Sequence, residues 1–339
     1  MDDLDEPDPD ELMPLDFGRL LANGIPEPDY LAYPYVVRGS RIWNFGATES
    51  AKSIYWQHVA RNLTREGRTV AYFSAENPLA TDLDRMSRLR PDFANLDYFH
   101  MPNIDLNVRE DFVRVAEACA GSDLVVIDTL SALWSGDENS NKEVVAFDRE
   151  VLVPLVRLTG AAIAIIHHTG HAQAFVNRTG ASAGRGASAM GQKADVVLTF
   201  TSIGPHEFTI EHGKDRTPGG RKEPKQRFKV IDTSDGGLDI EPVGRYMDPR
   251  LAECVEAAVA LVGATPHLST NALTRALKDQ GFGGSTIDQT FNELKDEQPT
   301  RVQQVDGMVI GKDGSHRTGR PWVPTPTDPD RPATNPGGR

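Results

Sequence analysis

The chain has few cysteines and no long apolar run, and these absences exclude several classes of protein. Cys119 and Cys254 are its only two cysteines, too few for a disulfide framework or a cysteine-based zinc site and typical of a reducing compartment. No apolar stretch reaches the ~18 residues that span a membrane. The first residues contain neither the basic segment nor the apolar core of a signal peptide. We therefore expect a cytoplasmic protein with no membrane partner.

The chain also lacks an overall positive charge, although its charge is distributed unevenly. Its 339 residues carry a net charge of −13, with 39% hydrophobic and 25% charged residues, as in ordinary globular proteins. Residues 1–16 contain eight acidic residues and no basic one. Residues 214–229, which we call the basic stripe, contain seven Lys and Arg against two acids. Such a stripe can bind phosphates on an acidic protein, or it is a solvated loop.

The most informative motif lies between Gly46 and Ser53. A phosphate-binding loop has the pattern Gly, four residues, Gly, Lys and Ser or Thr, and here only the second glycine is replaced, by Ala51. Backbone N–H groups of such a loop surround a phosphate, the lysine reaches its oxygens and the hydroxyl binds Mg²⁺. The alternative is a Gly-Ala loop that merely connects a strand to a helix. The predicted nucleotide-binding residues of this loop are Gly46, Ala47, Thr48, Glu49, Ser50, Ala51, Lys52 and Ser53.

Strand and helix patterns alternate on either side of this loop. Unbroken apolar runs at 124–127 and 161–166 are typical of strands buried on both faces. The alternation indicates an α/β fold with a parallel sheet covered by helices, and the later β-rich runs after residue 195 include antiparallel strands. A helix is predicted over 144–158, bent at Pro154.

The pattern changes near residue 248. Helices are predicted over 251–262, 270–280 and 286–297, the second one capped by Ser269. A hairpin with Asp306-Gly307 at its turn is predicted over 302–310. Three helices followed by a hairpin describe a winged helix-turn-helix.

Two acidic residues follow strands of the predicted sheet. Asp128 ends an apolar strand, a position from which a carboxylate can hold the water shell of Mg²⁺. Glu76 follows the strand after the loop helix, from which it could polarise an attacking water. Each also has an ordinary interpretation, because an aspartate after apolar residues is common and Glu76 fits the start of a helix.

Histidines and basic residues follow later strands. His167 and His168 end a strand at the edge where open α/β sheets bind ligands. With His171 they could bind zinc, although no carboxylate or cysteine completes that set in the sequence. Lys214 and Arg216 precede a Gly-rich turn that could project them towards a phosphate, or they belong only to the basic stripe.

The joint order of these motifs resembles that of the RecA-like ATPases, in particular the hexameric helicase branch with its RepA-type plasmid replication helicases. Residues 128–139, 167–170 and 185–198 are similar to that group's Walker B strand, sensor motif and Arg-Gly-Ser segment. The resemblance covers roughly residues 30–245. It implies a RecA-like P-loop core with a mainly parallel sheet, ATP and Mg²⁺ as cofactors, single-stranded DNA as partner, and a hexameric homo-oligomer.

The resemblance also implies roles at the nucleotide. Lys52 would bind the β- and γ-phosphates, and Ser53 and Asp128 would hold Mg²⁺. Glu76 would be the catalytic base, and His168 would sense the γ-phosphate. Ala51 is the main departure from the motif: its methyl group either crowds the loop and affects hydrolysis, or is tolerated if φ is negative.

Further roles are implied away from the loop. Lys214 and Arg216 would reach the ATP of the neighbouring subunit, as sensor and arginine finger. Arg178 and Arg185 would be the cations of a DNA-facing loop within residues 171–192. His171 stands where many relatives have a lysine.

We predict an ATP-dependent DNA motor, a ring-forming helicase or translocase of a plasmid or phage replication system. An ATP-switched DNA-binding regulatory or assembly protein and a recombinase-like filament ATPase remain as alternatives. The third C-terminal helix carries one cation, Lys295, so we expect the winged helix to contact replication or phage proteins or to assemble rings. The predicted domains are an acidic, partly disordered segment (1–29), the ATPase domain (30–247), the winged helix (248–323) and a disordered tail (324–339).

Overall fold

The chain divides into two compact units, Met1–Tyr246 and Met247–Arg339. Our computed structural model describes residues 14, 16–22, 24, 27–168, 189–217, 220, 222–296, 301–305, 307–310 and 316–325. Within those ranges, no helix combines the length and the apolar character needed to cross a membrane. The predicted residues His171, Arg178 and Arg185 lie outside the described ranges, as does nearly all of the predicted tail.

A nine-stranded sheet forms the centre of the first unit, after a short antiparallel pair made by β1 (Tyr30–Ala32) and β2 (Val36–Val37). The strands of the large sheet are β3 (Arg41–Gly46), β4 (Val70–Ser74), β5 (Leu96–His100), β6 (Leu124–Asp128), β7 (Ala162–His168), β8 (Val196–Gly204), β9 (Glu207–Asp215), β10 (Gln226–Asp232) and β11 (Leu238–Arg245).

The spatial order of this sheet is β11-β10-β9-β8-β3-β7-β6-β4-β5. Neighbours from β5 through β8 run parallel, whereas β8 to β11 pair antiparallel. The prediction of a mainly parallel sheet with later antiparallel strands is therefore confirmed.

Helices connect these strands and cover the sheet. They are α1 (Phe17–Ala22), α2 (Lys52–Arg65), α3 (Leu79–Leu89), α4 (Arg109–Ala118), α5 (Leu130–Leu133), α6 (Asn141–Phe147), α7 (Val153–Thr159) and α8 (Ala189–Lys193). Side chains alternate between the two faces of the sheet, because successive residues of a strand point in opposite directions. Trp43 and Val125 belong to one buried cluster, whereas Ile42 and Val126 belong to the other, which includes Trp56 of α2.

The continuous helix predicted over 144–158 is interrupted. A π-helical turn, Asp148–Leu152, separates α6 from α7, and Pro154 lies in the first turn of α7. Proline has no N–H group and its ring clashes with the carbonyl four residues earlier. That carbonyl belongs to Glu150, within the wider π-helical turn, so the helix changes its geometry where the proline requires it.

The second unit contains three helices and four short strands among its described residues. The helices are α9 (Pro249–Ala264), α10 (Thr270–Asp279) and α11 (Gly284–Asp296). The side chain of Ser269 accepts a hydrogen bond from the N–H of Ala272, so the predicted cap of α10 is confirmed. The strands are β12 (Val302–Gln304), β13 (Gly307–Ile310), β14 (His316–Gly319) and β15 (Trp322–Pro324).

The hairpin predicted over 302–310 is wrong. β12 pairs with β15 and β13 pairs with β14, both antiparallel, so β12 and β13 belong to the same arm. The chain therefore reverses between Ile310 and His316 and not at Asp306-Gly307. Burial of Trp322 and Val302 in the core of this unit favours the outer pair, which a local turn signal does not register.

Candidate nucleotide-binding site

The predicted site residues meet where the parallel strands end. In the register of the sheet, Gly46 lies beside His168 on β7, and Ser74 lies beside Asp128 on β6. The segments that follow these strand ends surround a cavity of about 620 Å³. Residues 48–53, Glu76 and His168 line it, together with residues of α3 and of the β8–β11 region, which are Asp84, Arg85, Arg88, His206, Val230, Asp232 and Leu238.

The loop between β3 and α2 needs glycine at its first position. A Cβ atom on Gly46 would lie 2.5 Å from Oγ of Ser50 and 2.7 Å from the carbonyl oxygen of Phe200. The second contact is with backbone, which cannot move aside as a flexible side chain can. The glycine of the motif is thus explained by the close approach of β8.

Lys52 directs its ammonium group into the loop. Its Nζ donates to the carbonyl oxygens of Gly46 at 2.8 Å and Ala47 at 2.7 Å, and to Oγ of Ser50 at 3.0 Å. Burial lowers the pKa of Lys52 to about 8. A phosphate would compete for these donors, because hydrogen bonds between charged groups are about twice as strong as neutral ones.

Ala51 adopts the conformation that the motif normally gives to glycine. Its φ is +68°, and Glu49 in the same loop has a φ of +63°. The condition under which a methyl group would be tolerated, a negative φ, is therefore not met. An L-residue in this left-handed region costs roughly 1–2 kcal/mol, so the loop is strained at Ala51. Ala51 is also the residue before α2 and supplies no side-chain cap, which leaves the N–H groups of the first turn for an anion.

Ser53 and Asp128 are in contact. Oγ of Ser53 donates to Oδ1 of Asp128 at 3.1 Å, and the hydroxyl of Tyr72 donates to Oδ2 at 2.7 Å. Burial raises the pKa of Asp128, and these two hydrogen bonds oppose that shift. A hydroxyl and a carboxylate at the edge of a polar cavity fit Mg²⁺, which takes few protein ligands and keeps several waters.

Glu76 is held on both sides. Its Oε2 accepts from Nε2 of His168 at 2.8 Å, and its Oε1 accepts from the hydroxyl of Thr129. The hydrogen bond from His168 is the main reason that the pKa of Glu76 lies below its usual value. Each carboxylate oxygen has a further lone pair, so Glu76 can also accept from a water in the cavity.

The two histidines of β7 point to different partners. Nε2 of His167 lies 3.0 Å from Oε2 of Glu138, and the His167 side chain is buried. His168 contacts Glu76 on the cavity side. The described ranges contain no group of three His, Cys, Asp or Glu side chains that could hold a metal. These contacts do not favour the zinc alternative, in which His167 and His168 would act together.

The two cations at the end of β9 differ in their contacts. Nζ of Lys214 donates to the carbonyl oxygens of Gly191 at 2.8 Å, Gln192 at 2.7 Å and Ala194 at 2.5 Å, around the C-terminal end of α8. Burial lowers the pKa of Lys214 to about 8. The Arg216 side chain is exposed and makes no hydrogen bond within the described ranges. Neither residue lines the cavity of its own chain, and their role at a neighbouring subunit stays a prediction.

Sequence reasoning missed three residues of this site. Tyr72 and Thr129 bind the two acidic residues, and Glu138 binds His167. Tyr72 reads as one of several apolar residues of a buried strand. Thr129 and Glu138 come from the Walker B-like segment, so the resemblance pointed to their region without assigning them roles.

Comparison with known proteins agrees with this geometry. Residues 6–174 match the family model of the AAA domain AAA_25. The mainly parallel sheet, the loop at its edge and this match define the first unit as a RecA-like P-loop ATPase domain.

Two curated relatives share part of the chain. The DNA repair protein RadA of Brucella abortus (strain 2308) is 27% identical over 224 residues, which cover 64% of this chain and 44% of that protein. The DNA repair protein RadA of Campylobacter jejuni subsp. jejuni serotype O:2 is 26% identical over 189 residues, covering 56% of this chain and 40% of that protein. The matched region thus spans less than half the length of either relative.

Among solved structures, one ATPase domain is similar, with a TM-score of 0.46 and 15% identity. The similarity covers 60% of this chain and 85% of that domain.

We expect Ala51→Gly to raise ATPase turnover, because glycine removes the left-handed strain of roughly 1–2 kcal/mol at this position. Turnover of the purified protein at saturating ATP measures the effect. Ala47→Gly is the matched control, since Ala47 lies in the same loop without a positive φ. Flat or reduced turnover for Ala51→Gly, or an equal gain in the control, would show that the loop has adapted to alanine.

Proposed function

We propose that this chain is an ATP-dependent DNA motor that binds ATP and Mg²⁺ at the carboxyl edge of its parallel sheet. The observation that carries the proposal is the convergence of Lys52, Ser53, Glu76, Asp128 and His168 around one cavity. The DNA part rests on the names of the curated relatives, both DNA repair proteins, and on the order of motifs in the sequence.

The loop residues would bind the phosphates. The N–H groups of the loop and of the first turn of α2 point an anion-binding surface towards the cavity. Lys52 would transfer its hydrogen bonds from the loop carbonyls to the β- and γ-phosphate oxygens. Ser53 and Asp128 would hold Mg²⁺, which neutralises charge on the phosphates when it is bound.

Glu76 would orient and deprotonate the attacking water. The water oxygen forms a bond to the γ-phosphorus, the bond to the bridging oxygen breaks, ADP leaves, and the water proton passes to Glu76. His168 and Thr129 fix the carboxylate during this step, because they bind opposite oxygens of Glu76. The pKa of Glu76 below its usual value keeps it ionised, as a base requires.

The finer proposal is a ring-forming, hexameric helicase or translocase acting on single-stranded DNA in plasmid or phage replication. In it, Arg178 and Arg185 contact DNA, and Lys214 and Arg216 act at the ATP of the neighbouring subunit. The second unit, with three helices before paired strands, would be a winged helix that contacts proteins.

One observation favours a second candidate, an ATP-operated switch that binds DNA and turns over slowly. Two residues other than glycine, Glu49 and Ala51, occupy left-handed conformations in the phosphate-binding loop. Strain stored at such a site can restrain hydrolysis while leaving binding intact. A stimulation of steady-state ATPase by single-stranded DNA supports the motor, whereas slow turnover that DNA does not change supports the switch.

We predict that Lys52→Ala weakens ATP binding by about 10- to 100-fold, since charged hydrogen bonds to phosphate are lost. Equilibrium binding of a fluorescent ATP analogue measures the effect, and circular dichroism checks the fold. Lys142→Ala, which removes an exposed lysine of α6, should bind as the wild type does. Unchanged affinity in Lys52→Ala would refute the assignment of the phosphate-binding loop.

We predict that Arg216→Ala lowers ATPase activity by about 10³–10⁵-fold, the usual contribution of an arginine finger, while ATP still binds. Mixed oligomers test whether the residue acts across subunits. Arg216→Ala subunits keep an intact loop and Lys52→Ala subunits keep an intact finger, so mixing them should restore part of the activity. Demonstrated co-assembly without recovery, together with weakened DNA binding in Arg216→Ala, would instead assign Arg216 to the basic stripe.

We predict that removal of residues 249–339 impairs oligomer assembly or partner binding and leaves no loss of sequence-specific duplex binding. α11 is rich in acidic residues, with Lys295 as its cation, and is poorly suited to a DNA groove. Sedimentation and duplex binding with several sequences measure the two effects. Normal assembly combined with lost sequence-specific binding would contradict the prediction.

A further inference from the structure

A buried tyrosine lies against the carboxylate proposed to hold magnesium. Tyr72 of β4 is fully buried, and its hydroxyl donates to Oδ2 of Asp128 at 2.7 Å. Ser53 donates to the opposite oxygen, Oδ1, at 3.1 Å. The two oxygens of Asp128 therefore have different partners, one in the protein core and one at the phosphate-binding loop.

The sheet sets this arrangement. β4 and β6 are parallel neighbours, with Tyr72 opposite Val126 and Ser74 opposite Asp128. Alternate residues of a strand share a face, so Tyr72, Val126 and Asp128 all face α2, the helix that carries Ser53.

The ring of Tyr72 is itself fixed. It stacks on Tyr98 with ring centroids 5.1 Å apart and planes 9° from parallel. The hydroxyl of Tyr98 accepts from Nε2 of Gln57 at 3.2 Å, and the same nitrogen lies 3.2 Å from Oδ1 of Asp82. This network leaves the Tyr72 hydroxyl little freedom to leave Asp128.

We propose that Tyr72 is a positioning residue that orients Asp128 for Mg²⁺. A carboxylate rotates easily about its Cβ–Cγ bond, and the hydrogen bond to Oδ2 fixes that rotation so that Oδ1 faces Ser53. Mg²⁺ demands near-ideal octahedral geometry, so a freely rotating Asp128 would hold it less well. This inference rests on the proposed function, because it requires a nucleotide bound with Mg²⁺.

Tyr72→Phe tests the proposal, since it keeps the ring and its stacking and removes only the hydroxyl. Tyr98→Phe is the matched control: it removes a hydroxyl from the same stack that contacts Gln57 and not Asp128. The readout is binding of N-methylanthraniloyl-ADP, followed by fluorescence at increasing Mg²⁺. We expect the Mg²⁺ concentration for half-maximal effect to rise about tenfold in Tyr72→Phe, the scale of one hydrogen bond to a charged group. Binding without Mg²⁺ should be unchanged in both variants.

Each other outcome has a defined meaning. A wild-type Mg²⁺ midpoint in folded Tyr72→Phe, or an equal shift in Tyr98→Phe, would overturn the positioning role. Tyr72→Leu removes the hydroxyl with a different side chain, and failure of both Tyr72 variants to fold would assign Tyr72 to the core alone. If the wild-type protein does not bind the nucleotide at all, the proposed function fails instead.

Discussion

The arrangement of the site depends on the parallel alignment of β3, β7, β6 and β4. Because the strands run in one direction, their carboxyl ends finish at the same edge, and the register places Gly46 beside His168 and Ser74 beside Asp128. A shift of β6 by one residue would turn Asp128 to the opposite face, away from Ser53. Both faces of the sheet are buried by distinct hydrophobic clusters, so the same shift would also disrupt the core. Burial therefore fixes the register, and the register fixes the polar site.

Within that edge, two carboxylates have opposite environments. Burial raises the pKa of Asp128, whereas the hydrogen bond from His168 holds the pKa of Glu76 below its usual value. Environments that shift two acidic groups in opposite directions commonly give them different roles. Asp128 is enclosed by hydroxyl donors and suits a fixed ligand. Glu76 lines the cavity, where it can contact water, and suits a base.

Much of this site was predictable from local sequence, because it depends on residues at strand ends. The apolar run ending at Asp128 and the Gly, Lys and Ser positions of the loop each define a strand end followed by a polar group. The backbone conformation of the loop was not predictable: the sign of φ at Ala51 depends on how the loop closes against β8. Tyr72 was missed for a related reason, since its importance comes from a neighbouring strand in space.

The errors in the fold have the same origin. The pairing of β12 with β15 joins residues about twenty positions apart and depends on burial of Val302 and Trp322 in one core. The turn signal at Asp306-Gly307 is local and therefore misleads. The π-helical turn before Pro154 also needs the packing of α6 and α7 for its position, although the proline itself signals a distortion.

The structure separates two cations that the sequence treats alike. Lys214 donates to three carbonyl oxygens around the end of α8, and Arg216 exposes its guanidinium. A Lys214 that moved to a neighbouring phosphate would leave those carbonyls without their donor, and each unmet buried group costs about 1–3 kcal/mol. Arg216 has no such contacts within the described ranges to give up, and its planar group can bind a phosphate through two hydrogen bonds. Of the two, Arg216 is therefore the better candidate for action across a subunit boundary, while Lys214 is better suited to hold α8 against β9.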